Sequence, residues 1–162
     1  MTSFVGASLT QTYTAAQLTG SEAGKVPQVG QVYSDSNGKR YKFVLHNDGA
    51  GDVAAVAGNF AYYYAPSGTS AGAYTTVTSD LSDSAGVGAG MWMAAPANGE
   101  YGWIQTWGPA TLNTALTAGA DGNALTPVGS TDGTLDVSAL VTDHICAIAI
   151  DASAKIVFIT CP

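Results

Sequence analysis

The sequence predicts an all-β protein: a single β-barrel or β-sandwich domain with an extended N-terminal arm. Three observations carry that expectation. Turn dipeptides punctuate the chain at Asn37-Gly38, Asp48-Gly49, Asn98-Gly99, Asp121-Gly122 and Asp132-Gly133, each beside an apolar or alternating run. Residues 99–108 alternate so that Tyr101, Trp103, Gln105 and Trp107 share one strand face, opposite Gly102, Ile104, Thr106 and Gly108. Near the C-terminus, the apolar runs 144–150 and 156–159 flank a short polar link, as the arms of a hairpin do.

Residues 1–29 are assigned to the arm and residues 30–162 to the β domain. The arm is rich in Thr, Ala, Gln and Gly and shows no sustained period beyond a weak helical pattern over residues 13–18. It lacks the high charge of a disordered tail, so ordering against a neighbour is as consistent with its composition as disorder.

The first hairpin pairs residues 31–33 with residues 40–46 across Asn37-Gly38, read as a type I′ turn. Strands are expected at 53–57, at the aromatic stretch 59–64 and at 74–78, with a Pro/Gly/Ser loop over 65–73. Residues 85–90 read as a glycine-rich link into Met91-Trp92-Met93, which forms a hairpin with the 99–108 strand. Within that strand Gly102 marks a bulge or the close approach of another backbone. Residues 110–118 fit a helical turn and a short strand equally well. The terminal hairpin, continuous in apolar residues, is expected to be buried on both faces or swapped into a partner.

Composition narrows function. Charged residues make up only 10% of the 162-residue chain, and twelve acids against five bases give a net charge of −7. Nucleic-acid binding is disfavoured, and the cluster Lys39, Arg40, Lys42 reads as a solvated hairpin end. No basic residue precedes Lys25 and no long apolar run occurs, so neither a secretory signal nor a membrane span is expected.

Asp35-Ser36-Asn37-Gly38 opens like a calcium loop but lacks the later bidentate glutamate, and a plain turn explains it. His144, Cys146 and Cys161 offer three soft ligands where structural zinc takes four, so no metal is expected. The cysteines are read as free thiols; a cross-strand disulfide needs a register that places residues 146 and 161 opposite each other. No Gly-x-Ser-x-Gly elbow, phosphate loop or dinucleotide fingerprint is present, and His46 lies beside a turn. No catalytic or cofactor-binding residue is assigned, and the chain is expected not to be an enzyme.

The aromatics remain. Tyr62, Tyr64, Trp92, Tyr101, Trp103 and Trp107 are candidate core or interface residues, the competing reading being a sugar-stacking platform.

The pattern Gly99, Tyr101, Gly102, Trp103, Ile104, Gln105 and Gly108, followed by residues 118–125, resembles small structural proteins of tailed bacteriophages. Gly30-Gln31-Val32-Tyr33 with residues 38–44 is similar to the opening hairpin of such proteins. The likeness spans roughly residues 30–160. It implies a head decoration, or cement, protein on the outer capsid surface, assembled in the host cytoplasm. The implied partners are the major capsid protein and further copies of the chain, with a homotrimer favoured and no catalytic residues. A glycan-binding virion protein or phage tail component is the alternative.

Overall fold

The computed structural model describes residues 8–21, 23–65 and 74–162. The elements run α1 (Ala15–Thr19), β1 (Val32–Ser34), β2 (Arg40–His46), β3 (Phe60–Tyr64), β4 (Thr76–Thr78), β5 (Ser84–Trp92), β6 (Tyr101–Thr111), β7 (Ala124–Thr126), β8 (Asp136–Val137), β9 (Ala147–Asp151) and β10 (Ile156–Thr160). The strands hydrogen-bond in the order β1-β2-β4-β3-β5-β6-β10-β9-β7-β8, and β2 also pairs with β6. That extra pairing closes β2, β4, β3, β5 and β6 into a five-stranded barrel. The strands β10, β9, β7 and β8 continue from the far half of β6 as an open annex sheet.

Strand β6 makes this possible by length. Its first half pairs with β2 from Leu45↔Tyr101 to Arg40↔Trp107 and with β5 at Met91↔Gln105 and Trp92↔Ile104. Its second half pairs with β10 from Thr160↔Trp107 to Ile156↔Thr111. A bulge lets one strand serve both sheets: Tyr41 pairs with Gln105 and Arg40 with Trp107, which leaves Thr106 as the extra residue. Beside it the buried Gln105 amide donates to the carbonyls of Trp107, Gly108 and Pro109 at 3.1–3.2 Å. Gly102 is neither the bulge nor a close approach of another backbone: a Cβ there would first meet the Pro96 ring and the Trp92 ring, at an ordinary 3.4–3.6 Å.

The segment expected to be a glycine-rich link is strand β5. Its glycines are required by proximity: a Cβ on Gly90 would lie 2.3 Å from the Gln105 carbonyl oxygen, and one on Gly88 would lie 2.6 Å from Cys146 Cβ and Sγ. A second bulge sits here, because Ala61 pairs with Gly90 while Tyr62 pairs with Gly88. It reverses the alternation of β5. Ala85, Val87 and Ala89 pack inward before it, and Trp92 packs inward after it.

Three clusters of buried side chains follow. The barrel interior holds Val44, Ala61, Tyr63, Val77, Ala89, Trp92 and Ile104. The barrel wall and the annex sheet enclose Phe60, Tyr62, Leu112, Leu125, Leu135, Val157 and Ile159. On another side the arm covers Tyr41, Phe43 and Trp103 with Tyr13, backed by Leu9, Leu18 and Val26. Exposing a large apolar side chain costs about 1.5–3 kcal/mol, so covering this patch orders a segment whose five-residue helix has no stability of its own. A capping box between Thr14 and Gln17 starts that helix, and Tyr13 and Tyr101 exchange backbone hydrogen bonds at 2.8 and 2.9 Å.

Several sequence expectations are corrected. Residues 53–57 form no strand. The first hairpin has three loop residues: Asp35 N–H donates to the Lys39 carbonyl, and Gly38 has φ 79° while Asn37 is not in the left-handed region. This is a turn with a glycine bulge, not type I′. Asp35 fixes it by accepting from the N–H groups of Asn37 and Lys39, both at 2.9 Å. The terminal hairpin is not buried on both faces: Ala147 and Ala149 point inward while Ile148 and Ile150 are 45% and 47% exposed. A register shift after Ile156 leaves Cys146 beside Thr160, with both thiols free and buried. Most of the expected 65–73 loop lies outside the described residues.

Two predictions follow from the barrel. Gly90→Ala combines φ 146° with the clash on the Gln105 carbonyl, and is expected to lower unfolding free energy by about 2–4 kcal/mol in urea titration. His46 is buried, lies edge-on to Trp92 at 5.4 Å and has no hydrogen bond on either ring nitrogen. Burial lowers its pKa, opposed by nearby backbone groups and by the Asp48 carboxylate. The unfolded chain then takes up a proton near pH 6.5 that the folded chain refuses, so stability declines as pH falls below that value. A His46→Leu variant should lack this slope while keeping the separate loss below about pH 4 that carboxylates cause.

Candidate interaction face

The inner side of the annex sheet packs Leu125, Ala147, Ala149, Val157 and Ile159 against the barrel wall, with Cys146 close against Gly88. The outer side does the opposite. Residues paired by register put Ala124, Ile148, Phe158 and Pro109 in one row across β7, β9, β10 and β6. Ile150, Ile156 and Trp107 border that row, and Ile145 lies just before β9 at 40% exposure. An antiparallel sheet with one solvated side normally shows polar residues there. An apolar face in that position is a candidate interaction surface.

One margin of the face is basic. Trp107 meets Phe158 edge-on at 5.5 Å, and the Arg40 guanidinium lies 5.5 Å from the Trp107 ring centroid.

The sequence-assigned aromatics separate. Tyr62, Trp92 and Trp103 are fully buried, each in a different cluster. Tyr62 hydroxyl donates to the Thr134 carbonyl and accepts from the Thr134 N–H. Trp92 Nε1 donates to Ser79 Oγ at 3.1 Å. Tyr64 and Tyr101 are half-buried, and Tyr101 stacks on Phe43 beneath the arm. Trp107 alone among the tryptophans is accessible, at 38%. Sequence reasoning grouped it with Trp103; the bulge at Thr106 falls between them.

Ionisable groups near the core are engaged structurally. Lys42 Nζ donates to Tyr63 hydroxyl at 2.9 Å, which donates to the Pro162 carbonyl at 3.0 Å. Burial lowers the Lys42 pKa and raises that of Tyr63. Tyr41 is pushed up to about 12 by burial and by Asp35, whose carboxylate accepts its hydroxyl hydrogen bond. Burial pushes the Cys161 thiol well up. A shallow cavity of about 430 Å³ is lined by Gly51, Asp80 and Asp132, but Asp80 already accepts from Ser82 and from Gly51 N–H. Among the described residues no three His, Cys, Asp or Glu side chains are placed to hold a metal ion.

Iodide should quench one tryptophan of the three, the accessible Trp107 beside its cationic neighbour, and Trp107→Phe should abolish that quenching. Quenching that persists in the variant would show Trp92 or Trp103 to be accessible. Comparison of the chain with protein-family models, with curated proteins and with solved structures finds no match.

Proposed function

We propose that the chain is a structural virion protein, a decoration or cement protein that binds the outside of a phage head. In this reading it assembles in the host cytoplasm, contacts the major capsid protein and works as a homo-oligomer, a trimer. The observation that carries the reading is the apolar outer face of the annex sheet, mounted on a closed barrel. The sequence resemblance supplies the setting.

Physics supports the match of form to task. A cement protein needs no reacting groups; it needs a stiff body and contact area that bridges neighbouring shell subunits. A closed barrel has no free edge within the ring and deforms little. Repetition over the shell multiplies modest contacts into tight occupancy.

The glycan-binding alternative rests on exposed rings. Trp107 and Phe158 meet at an interplanar angle of 84°, which makes an edge contact and not a flat platform for a sugar. The assembly reading is therefore preferred.

The test uses heads of the encoding phage prepared without this chain. Purified protein should cosediment with them saturably and raise their resistance to heating. Label on the tail, no cosedimentation with heads, or selective retention on immobilised glycans would overturn the proposal.

A further inference from the structure

We propose that the outer wall of the barrel beneath the arm is a peptide-binding groove. The chain's own arm fills it as an internal, displaceable ligand, and the groove takes an extended segment carrying an aromatic residue from another polypeptide. This surface is separate from the annex face and owes nothing to the assembly reading.

The groove is built from rings. Alternation along β2 and β6 turns Val44 and Ile104 into the barrel, so Phe43 and Trp103, paired across the two strands, point outward. Tyr101 stacks on Phe43 at 6.0 Å, while Tyr33 of β1 stacks on Tyr41 at 6.1 Å and meets Trp103 edge-on at 6.4 Å. Into this wall the arm inserts a single ring. Tyr13 lies edge-on to Phe43 at 5.6 Å and is only 8% exposed.

The arm holds on as a peptide ligand does. Strand β5 parts from β6 at Trp103, whose carbonyl accepts from Met93 N–H, and Tyr101 one step further along that edge has no strand beside it. Tyr13 takes the place of a strand there: its N–H donates to the Tyr101 carbonyl at 2.9 Å and its carbonyl accepts from Tyr101 N–H at 2.8 Å, in one antiparallel bridge. Main-chain pairing with one seated side chain is how extended peptides add to sheet edges, the backbone giving affinity and the pocket specificity. A donor and an acceptor at strand spacing match a polypeptide in both directions of hydrogen bonding.

The fit of the arm is incomplete, which points to another occupant. Trp103 Nε1 belongs to the same cluster and is buried without a partner. An unpaired buried donor costs free energy that an incoming segment recovers by presenting a carbonyl. The arm is also lightly held. Helix α1 buries no residue, and its bonds are local: the Thr14–Gln17 capping box and Gly20 N–H to the Ala16 carbonyl. Segments with few buried contacts open well below the cost of global unfolding, so the arm lifts while the barrel stays closed.

Two measurements on the full chain test this. In native-state hydrogen exchange the Tyr101 amide, which donates to Tyr13, should exchange at least about 100-fold faster than the Ile104 amide in the β2–β6 ladder. Equal rates would show that arm and barrel open together, and would overturn the proposal. The second measurement uses Tyr13→Ala and a fluorescein-labelled synthetic peptide of residues 8–21. Iodide should reach Trp103 in this variant with circular dichroism unchanged. The peptide should bind the variant saturably and protect Trp103 again, and should bind the native chain about tenfold more weakly because the tethered arm competes. The same peptide carrying Tyr13→Ala should bind neither. Thr14→Gly, which removes the helix cap and leaves the rings intact, replaces Tyr13→Ala if that variant does not fold. Protection of Trp103 in the loosened variant, no binding of the peptide, or equal binding to native and variant chains would each overturn the proposal.

Discussion

Everything in this molecule depends on both edges of β6 being hydrogen-bonded along its length. Buried peptide groups left without partners cost more than most side-chain contacts return. The strand therefore takes β2 on one edge, and β5 followed by β10 on the other. The bulge at Thr106 is the point where it changes allegiance. Before it, Trp103 and Ile104 serve the arm-covered patch and the barrel interior; after it, Trp107 and Pro109 belong to the outward face of the annex. The outward apolar face and the core are consecutive parts of one strand.

The all-β class, the first and last hairpins and the pairing of residues 91–93 with the 99–108 strand were legible because turn dipeptides and two-residue alternation are local signals. What escaped was set by distant neighbours. The glycines of β5 read as punctuation, yet Gly88 and Gly90 answer to Cys146 and Gln105, far along the chain. Barrel closure is a pairing between β2 and β6 that no local window contains. The arm gave no period because its order comes from the aromatic patch it covers. The outward face had a visible signal, the alternation of Ala and Ile over 147–150, but with both members apolar it read as burial on both sides.

Polar groups in the interior show how function and stability divide here. Lys42, Tyr62, Tyr63 and Gln105 are each tied to backbone or to one another, and they lock strands in place. His46 differs, both of its ring nitrogens being enclosed without a bond, and Trp103 Nε1, Thr126 Oγ1 and His144 Nδ1 are likewise buried without a partner. None of these groups faces the annex exterior. The outer side of the annex is built from aliphatic and aromatic residues with Arg40 at its margin.

Barrel closure also has a consequence in time. β2 finds its partner on β6 roughly sixty residues later, and its parallel pairing with β4 also spans about thirty. During synthesis the strands β2 to β5 emerge as an unclosed curl, with Phe43 and Trp92 uncovered until β6 leaves the ribosome and Phe60 until the annex follows. Long-range closure of this kind slows folding and leaves sticky intermediates exposed. Such intermediates are at risk of aggregation, and the net charge of −7 is what keeps half-finished copies apart.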